Sequence, residues 1–181
     1  KPEEVVGVVV ARLVPEKGHA FLFEQLPPIV KRHPEFRLWI AGEGPELERL
    51  TAQAKDLGLE QCVRFLGFRD DIPRLLRAAD LLVHPSRKEG APNAVREGMV
   101  AGLPVVAVAA SGTPELMVGG VTGLLSAIGD GEELAKNLET VLSDPELRQR
   151  MGEAGRHRAL TEFSEDTCAE RWLALMAANR P

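Results

Sequence analysis

The segment DLLVHPSRKEGAPNAVREGMVAGLPVVAV, residues 80–108, decides the fold. It opens on a short apolar run (80–85) and passes through a loop punctuated by Gly90 and Pro92. A helical pattern, NAVREGMVAG, follows and stops at Gly102; a second apolar run, PVVAV (104–108), comes next. Strand, helix, strand is the βαβ unit, and two parallel strands need such a crossover between them. Both runs are apolar nearly throughout, as strands covered on both faces must be.

The same alternation continues outward in both directions. VVGVVVA (5–11) reads as a buried strand. A helix over 18–32 is expected from Leu22, Leu26, Ile29 and Val30 at helical spacing, with a kink or short break at Pro27-Pro28. FRLWIA (36–41) is the second strand and GEGP closes it; ELERLTAQAKDLG is a helix stopped by Gly58. VRFLG (63–67) is the third strand, and RDDIPRLLRAA gives a short helix before the fourth. Beyond the fifth strand, a turn of helix at 114–117 leads to a sixth, TGLLS (122–126). Helical stretches over 131–142, 145–157 and 165–178 close the chain. The expected fold is α/β, a Rossmann-like doubly wound parallel sheet of about six strands with helices on both faces.

At 181 residues the chain suits one domain with a sizeable core. It begins KPEE rather than Met and runs straight into a strand, as a piece of a longer protein would. The net charge of -5, with basic residues dispersed, excludes a global field that recruits nucleic acid or anionic membrane. Any anion site must be local. Cys62 and Cys168 form no metal-spaced pair and read as free thiols in a reducing compartment. No apolar run reaches the ~18 residues of a membrane span.

Open parallel sheets bind ligands at the carboxyl ends of their strands, so the loops after each strand carry the functional reading. After the first strand, Arg12 and Lys17 stand on a Pro- and Gly-punctuated loop before a helix. They read as an anion site or as solvated loop charges. After the second, Gly42 permits close backbone approach or simply makes the turn. After the third, Phe68 follows Gly67; it is a surface for a base or part of the core. After the fifth, Ser111 and Gly112 can present backbone amides in an anion-binding nest, or form a plain turn.

The loop after the fourth strand carries most. His84 ends the strand and reads as structural or hydrogen-bonded. Glu89 and Glu97 stand eight positions apart, but so do Glu16 with Glu24, Glu35 with Glu43 and Glu162 with Glu170, so the spacing proves nothing. Context separates this pair. In a continuous helix they would lie ~12 Å apart, whereas the loop lets Glu89 fold back toward a helix start capped by Asn93. Free N–H groups at Asn93, Ala94 and Val95 would then lie between two carboxylates. A ligand with phosphate in its middle and hydroxyls at both ends fits that arrangement, and a nucleotide sugar has that shape.

ARLVPEKG, FRLWIAGEGPELERL, VRFLGFRDDIPRLLRAADLLVHPS and EGAPNAVREGMVAGLPVVAVAASGTPEL, in that order, resemble the C-terminal half of family 4 retaining glycosyltransferases of the GT-B fold. The resemblance spans nearly the whole chain. It implies a glutamate–seven–glutamate element in which Glu89 sits by the donor sugar and Glu97 holds the ribose hydroxyls. Arg12 and Lys17 would neutralise the diphosphate, the Asn93 and Ala94 amides would touch phosphate, and the Gly67-Phe68-Arg69 turn would lie near the base. No metal or other cofactor is implied, only a UDP-, GDP- or ADP-linked sugar as substrate. Ser111-Gly112 stands where the family often has a Gly pair. A separate N-terminal, acceptor-binding domain is the implied partner, in a cytoplasmic protein that reaches a membrane, if at all, through that domain. A nucleotide-sugar epimerase of the same fold and a non-catalytic nucleotide-binding or interaction domain stay open as alternatives. A Rossmann oxidoreductase is disfavoured, since no G-x-G-x-x-G follows the first strand.

Overall fold

A computed structural model describes residues 4–178. Six strands form one sheet: β1 (Val5–Val10), β2 (Phe36–Ala41), β3 (Val63–Gly67), β4 (Leu81–His84), β5 (Val105–Val108) and β6 (Gly123–Ser126). Their spatial order is β3-β2-β1-β4-β5-β6, and every adjacent pair is parallel. The chain therefore winds outward from β1 to β3, returns to the middle, and winds the other way from β4 to β6. The reversal lies between β1 and β4, and a crevice opens there at the carboxyl edge of such sheets.

Helices cover both faces. α1 (His19–Arg32), α2 (Leu47–Asp56) and α6 (Gly131–Ser143) flank one; α3 (Ile72–Arg77), α4 (Asn93–Ala101), the single-turn α5 (Thr113–Leu116) and α7 (Pro145–Glu162) flank the other. α8 (Glu165–Ala178) follows α7. The period-two geometry of a strand divides the core in two. Val9, Leu38 and Ile40 join Leu22, Phe23, Leu26 and Ile29 on the α1 side, while Val8, Leu82, Val105 and Ala107 join Val95 and Met99 on the α4 side. Covered on both faces, the strands have no polar alternation to show, which is why they read as continuous apolar runs.

Two sequence expectations about the helices change. α1 runs unbroken through Pro27 and Pro28. A proline in a helix removes one N–H and crowds the carbonyl four residues back. Here Pro28 is exposed and Pro27 half-buried, so the bonds lost lie on the outer side of the helix. Leu22, Phe23, Leu26 and Ile29 are fully buried on the inner side, and their burial holds the helix together. α7 runs to Glu162, beyond the expected 157. Asp144 caps its start, accepting from the Leu147 N–H at 2.8 Å. Gly152 lies so close to the end of α4 that a Cβ there would fall 2.0 Å from the Gly102 carbonyl oxygen. The helix patterns 131–142 and 165–178 appear as α6 and α8 within a residue. Cys62 is buried and Cys168 half-buried, and both are free. Burial pushes the Cys62 thiol up to about 11, so it is no nucleophile at neutral pH.

Candidate functional site at the carboxyl edge of the sheet

The loops after β1, β2 and β3 are laced together by backbone bonds. The Leu13 N–H donates to the Glu43 carbonyl at 2.8 Å, and the Glu46 N–H donates to the Leu13 carbonyl at 3.1 Å. The Gly42 N–H donates to the Gly67 carbonyl at 2.8 Å. Gly42 has φ 152, and a Cβ on it would lie 1.9 Å from the Ala11 carbonyl oxygen. That position requires glycine, and the close approach it permits is made to the neighbouring loop. The Glu43 carboxylate accepts from the Phe68 N–H at 3.3 Å and ties the second loop to the third. Phe68 itself is 73% exposed at the carboxyl edge, so the core reading is excluded.

The loops after β1 and β4 meet across the topological reversal. Lys17 Nζ lies 2.6 Å from Glu89 Oε1, with the two side chains 18% and 9% exposed. His84 Nε2, at the end of β4, lies 3.1 Å from the same oxygen, but its direction is poor and the buried nitrogen has no aligned hydrogen-bond partner. Ser86 Oγ lies 3.2 Å from both the Glu16 and the Lys88 carbonyl oxygens, and the Arg87 N–H donates to Glu16 at 2.9 Å. Two loops distant in sequence are thus fastened side by side. Arg12, Glu16, Lys17, Lys88, Glu89, Gly90 and Ser111 line a cleft of about 650 Å³ between them.

Electrostatics fix the state of Glu89. Burial would raise its pKa, but His84, Lys17 and Ser86 around the carboxylate outweigh burial and hold it at about 2. Glu89 is therefore ionised throughout the neutral range and cannot serve there as a proton donor. His19, the first residue of α1, is buried beneath the same loop, its Nε2 3.1 Å from the Arg12 carbonyl oxygen. Burial lowers its pKa; the bond to Arg12 opposes this, and the neighbouring His84 and Lys17 add electrostatically to the lowering. A neutral His19 donating from Nε2 braces the loop that carries Arg12.

This arrangement makes stability pH-dependent with a definite sign. His19 takes up a proton less readily folded than unfolded, so its contribution is complete above about 6.5 and is lost as pH falls through its lower folded value. Glu89 adds a second window, complete above about 4.5 and lost as pH falls toward about 2. Urea unfolding at pH 7.5, 6 and 5 is expected to show falling stability for the unmodified chain and a flatter profile for His19→Gln. A profile unchanged by the substitution would contradict the brace.

Of the residues singled out in the sequence, Arg12, Lys17, Glu89 and Ser111 meet in the cleft. Ser111 has φ 40, the left-handed conformation that a Gly pair would adopt freely, and Gly112 follows at φ -71 and ψ -7. Successive N–H groups in that alternation form a nest, and neither N–H has a backbone partner among the described residues. Gly112 packs on the glutamate loop, where a Cβ would lie 2.1 Å from the Gly90 carbonyl oxygen. Gly42, Gly67 and Phe68 form the adjoining edge.

The start of α4 differs from expectation. Pro92, not Asn93, occupies the cap position, and Asn93 is the first helical residue. Its Oδ1 lies 3.5 Å from Arg96 and caps nothing. Val95 N–H is already used by the Pro92 carbonyl at 3.0 Å, so the free amides are those of Asn93 and Ala94. Proline with its fixed φ ends the loop and leaves Asn93 already helical. Glu97 is exposed one turn on. It does not line the cleft of Glu89 but a separate hollow of about 480 Å³ between α3, α4 and α7, with Arg77, Arg96 and Val100. His19, Glu43 and His84 are the contributors that sequence reasoning missed or undervalued. A histidine at a strand end pointing toward a loop carboxylate five residues on was the one available signal. Among the described residues no group of three or more His, Cys, Asp or Glu is arranged to hold a metal, and no helix is long and apolar enough to cross a membrane.

Sheet order, reversal point and cleft place the molecule in the Rossmann-like α/β class of the GT-B glycosyltransferases, a fold shared by its structural neighbours. The family model for glycosyl transferases group 1 matches residues 1–158, and the chain belongs to that family. It is 35% identical over 173 residues to the lipopolysaccharide core biosynthesis glycosyltransferase LpsE of Rhizobium meliloti, covering 96% of this chain and 50% of that protein. The crystal structure of Anabaena Alr3699/HepE in complex with UDP superposes with a TM-score of 0.88 at 31% identity, covering 97% of this chain and 49% of that one. The C-terminal domain of the group 1 glycosyl transferase LpcC from Francisella tularensis superposes with a TM-score of 0.82 at 26% identity, covering 90% of this chain and 88% of that domain. The chain thus spans about half the length of the curated relatives it matches.

Proposed function

We propose that this chain is the donor-binding domain of a retaining glycosyltransferase that moves a sugar from a nucleoside-diphosphate sugar to an acceptor held by a separate N-terminal domain. The observation that carries the reading is the meeting of Arg12, Lys17 and the ionised Glu89 in one cleft at the β1–β4 reversal. Support for the domain assignment comes from the match to the LpcC C-terminal domain over most of both chains. Support for the ligand comes from the UDP bound by the HepE neighbour.

The residues divide the work as follows. Departure of the nucleoside diphosphate builds negative charge on its β-phosphate. Arg12, Lys17, the free Asn93 and Ala94 amides and the Ser111–Gly112 nest are donors for that charge. They supply the stabilisation that a bound metal supplies elsewhere. The donor set fits an anion. Glu89, held as a carboxylate, orients hydroxyls of the departing sugar and stabilises positive charge developing at the anomeric carbon. The base lies by Gly42, Gly67 and Phe68, and Glu97, which lines the hollow between α3, α4 and α7, holds the ribose hydroxyls.

Glu97 provides a selective test. A site that hydrogen-bonds a hydroxyl rejects the analogue lacking it. Glu97→Gln is expected to reduce the preference for UDP or GDP over the corresponding 2′-deoxynucleotide by about tenfold, equivalent to roughly 1.4 kcal/mol, while α4 stays folded because the side chain is exposed. Affinities for the four nucleotides measured by calorimetry decide it; an unchanged preference unseats Glu97 as the ribose ligand.

A further inference from the structure

Lys17 and His84 both face one oxygen, Glu89 Oε1, at 2.6 and 3.1 Å. They are differently built for it. Lys17 stands on the β1–α1 loop, lines the cleft and carries its ammonium on a flexible stem. His84 is the last residue of β4, 4% exposed, and is paired with Ala107 on β5, on a strand that also pairs with β1 through Leu81 and Leu82. The ammonium holds the oxygen in a well-formed bond, and the imidazole Nε2 is left buried without an aligned partner. A buried polar nitrogen in that condition is costly unless another state of the molecule satisfies it.

The proposed function supplies that other state. A diphosphate in the cleft is a stronger attractor for Lys17 than one carboxylate, since it offers more charge and more acceptor oxygens. If Lys17 moves to it, Glu89 loses its shortest contact while buried. We infer that His84 is a positioning residue for Glu89, whose Nε2–H takes over Oε1 when a nucleoside diphosphate draws Lys17 away. The inference rests on the donor-site reading. The exchange keeps the carboxylate in place at the moment the sugar arrives, and it needs no movement of β4. The charged and titratable groups that face His84 are Glu89 from its own loop, Lys17 from the β1–α1 loop and His19 from α1. In the free protein the Lys17–Glu89 pair is thereby a latch: it keeps both groups ordered and is released by the ligand that uses them.

The test is imidazole nitrogen NMR on the 181-residue chain, which has only four histidines: His19, His33, His84 and His157. On separate titrations with UDP, GDP and ADP, the His84 Nε2 signal is expected to shift along the binding isotherm of each nucleotide that binds, while those of His33 and His157 stay. In Lys17→Ala, which removes a side chain and leaves the core intact, His84 is expected to show the shifted position before any nucleotide is added. In Glu89→Gln the shift is expected to vanish. If a nucleotide binds and His84 does not respond, or if Lys17→Ala leaves the free signal where it was, the positioning role is wrong and the donor site stands. If none of UDP, GDP and ADP perturbs any signal at millimolar concentration, the donor site and the positioning role fall together.

Discussion

Replacing Arg12 and Lys17 together by Ala is expected to weaken binding of a nucleoside diphosphate on the order of 10²- to 10⁴-fold, with little change for the free nucleoside. Each side chain offers charge-assisted bonds to phosphate worth about 1.5–3 kcal/mol, and 1.4 kcal/mol is tenfold in affinity. The protein carries net charge -5, so no general field attracts the ligand and the loss is not made up elsewhere. The two cations stand on one short loop and line one cleft, so both act on the same anion. Neither belongs to the buried core. Calorimetric titration of the double variant with UDP and with uridine separates the cases. A loss shared equally by diphosphate and nucleoside would mean that the substitutions disturbed the loop and that neither cation grips phosphate.

Gly18→Ala is expected to destabilise the fold by about 2–4 kcal/mol, near the upper range for single substitutions, and to disable nucleotide binding with it. Gly18 ends the short turn that carries Lys17 and begins α1, at φ 73. A Cβ there would stand 2.1 Å from the Pro85 carbonyl oxygen, on the loop leading from β4 to Glu89. Two costs combine: left-handed backbone for an L residue, about 1–3 kcal/mol, and forced separation of the two loops whose contact forms the cleft. Gly58→Ala is the control. It has φ 68 but no atom within 4 Å of the new Cβ, so it carries the backbone cost alone. Thermal unfolding should place Gly18→Ala well below Gly58→Ala, and equal midpoints would show that the loop contact contributes nothing.

The alternation of apolar runs with helical patterns made the parallel sheet legible, because strands buried on both faces leave a strong mark in composition. Strand order was less visible: nothing local in VVGVVV says that its neighbours are FRLWIA and LLVH. The reversal between β1 and β4 is nonetheless what joins Lys17 to Glu89 across 72 positions. Loop placement at the carboxyl edge was readable for Arg12, Lys17, Glu89 and Ser111, since charge and glycine punctuation survive in sequence. What escaped was tertiary. The unbroken α1 reflects burial overriding the local cost of two prolines. The cap at Pro92 instead of Asn93 reflects a one-residue choice settled by backbone geometry. Glu97 parts from Glu89 because α4 turns it toward α3. His84 looked like a lone histidine because its partner is reached only when the loop folds back. His19 and Glu43 carry no sequence pattern at all; they act by bracing backbone.

The central claim is that the cleft between the β1 and β4 loops holds the diphosphate of a nucleotide sugar. Titrating the 181-residue chain with UDP, GDP and ADP by calorimetry tests it most directly. The account predicts measurable binding of at least one of the three, stronger than its nucleoside and weakened toward the nucleoside's affinity by the Arg12, Lys17 double substitution. No binding of any of them at millimolar concentration, or binding indifferent to the diphosphate, would contradict it.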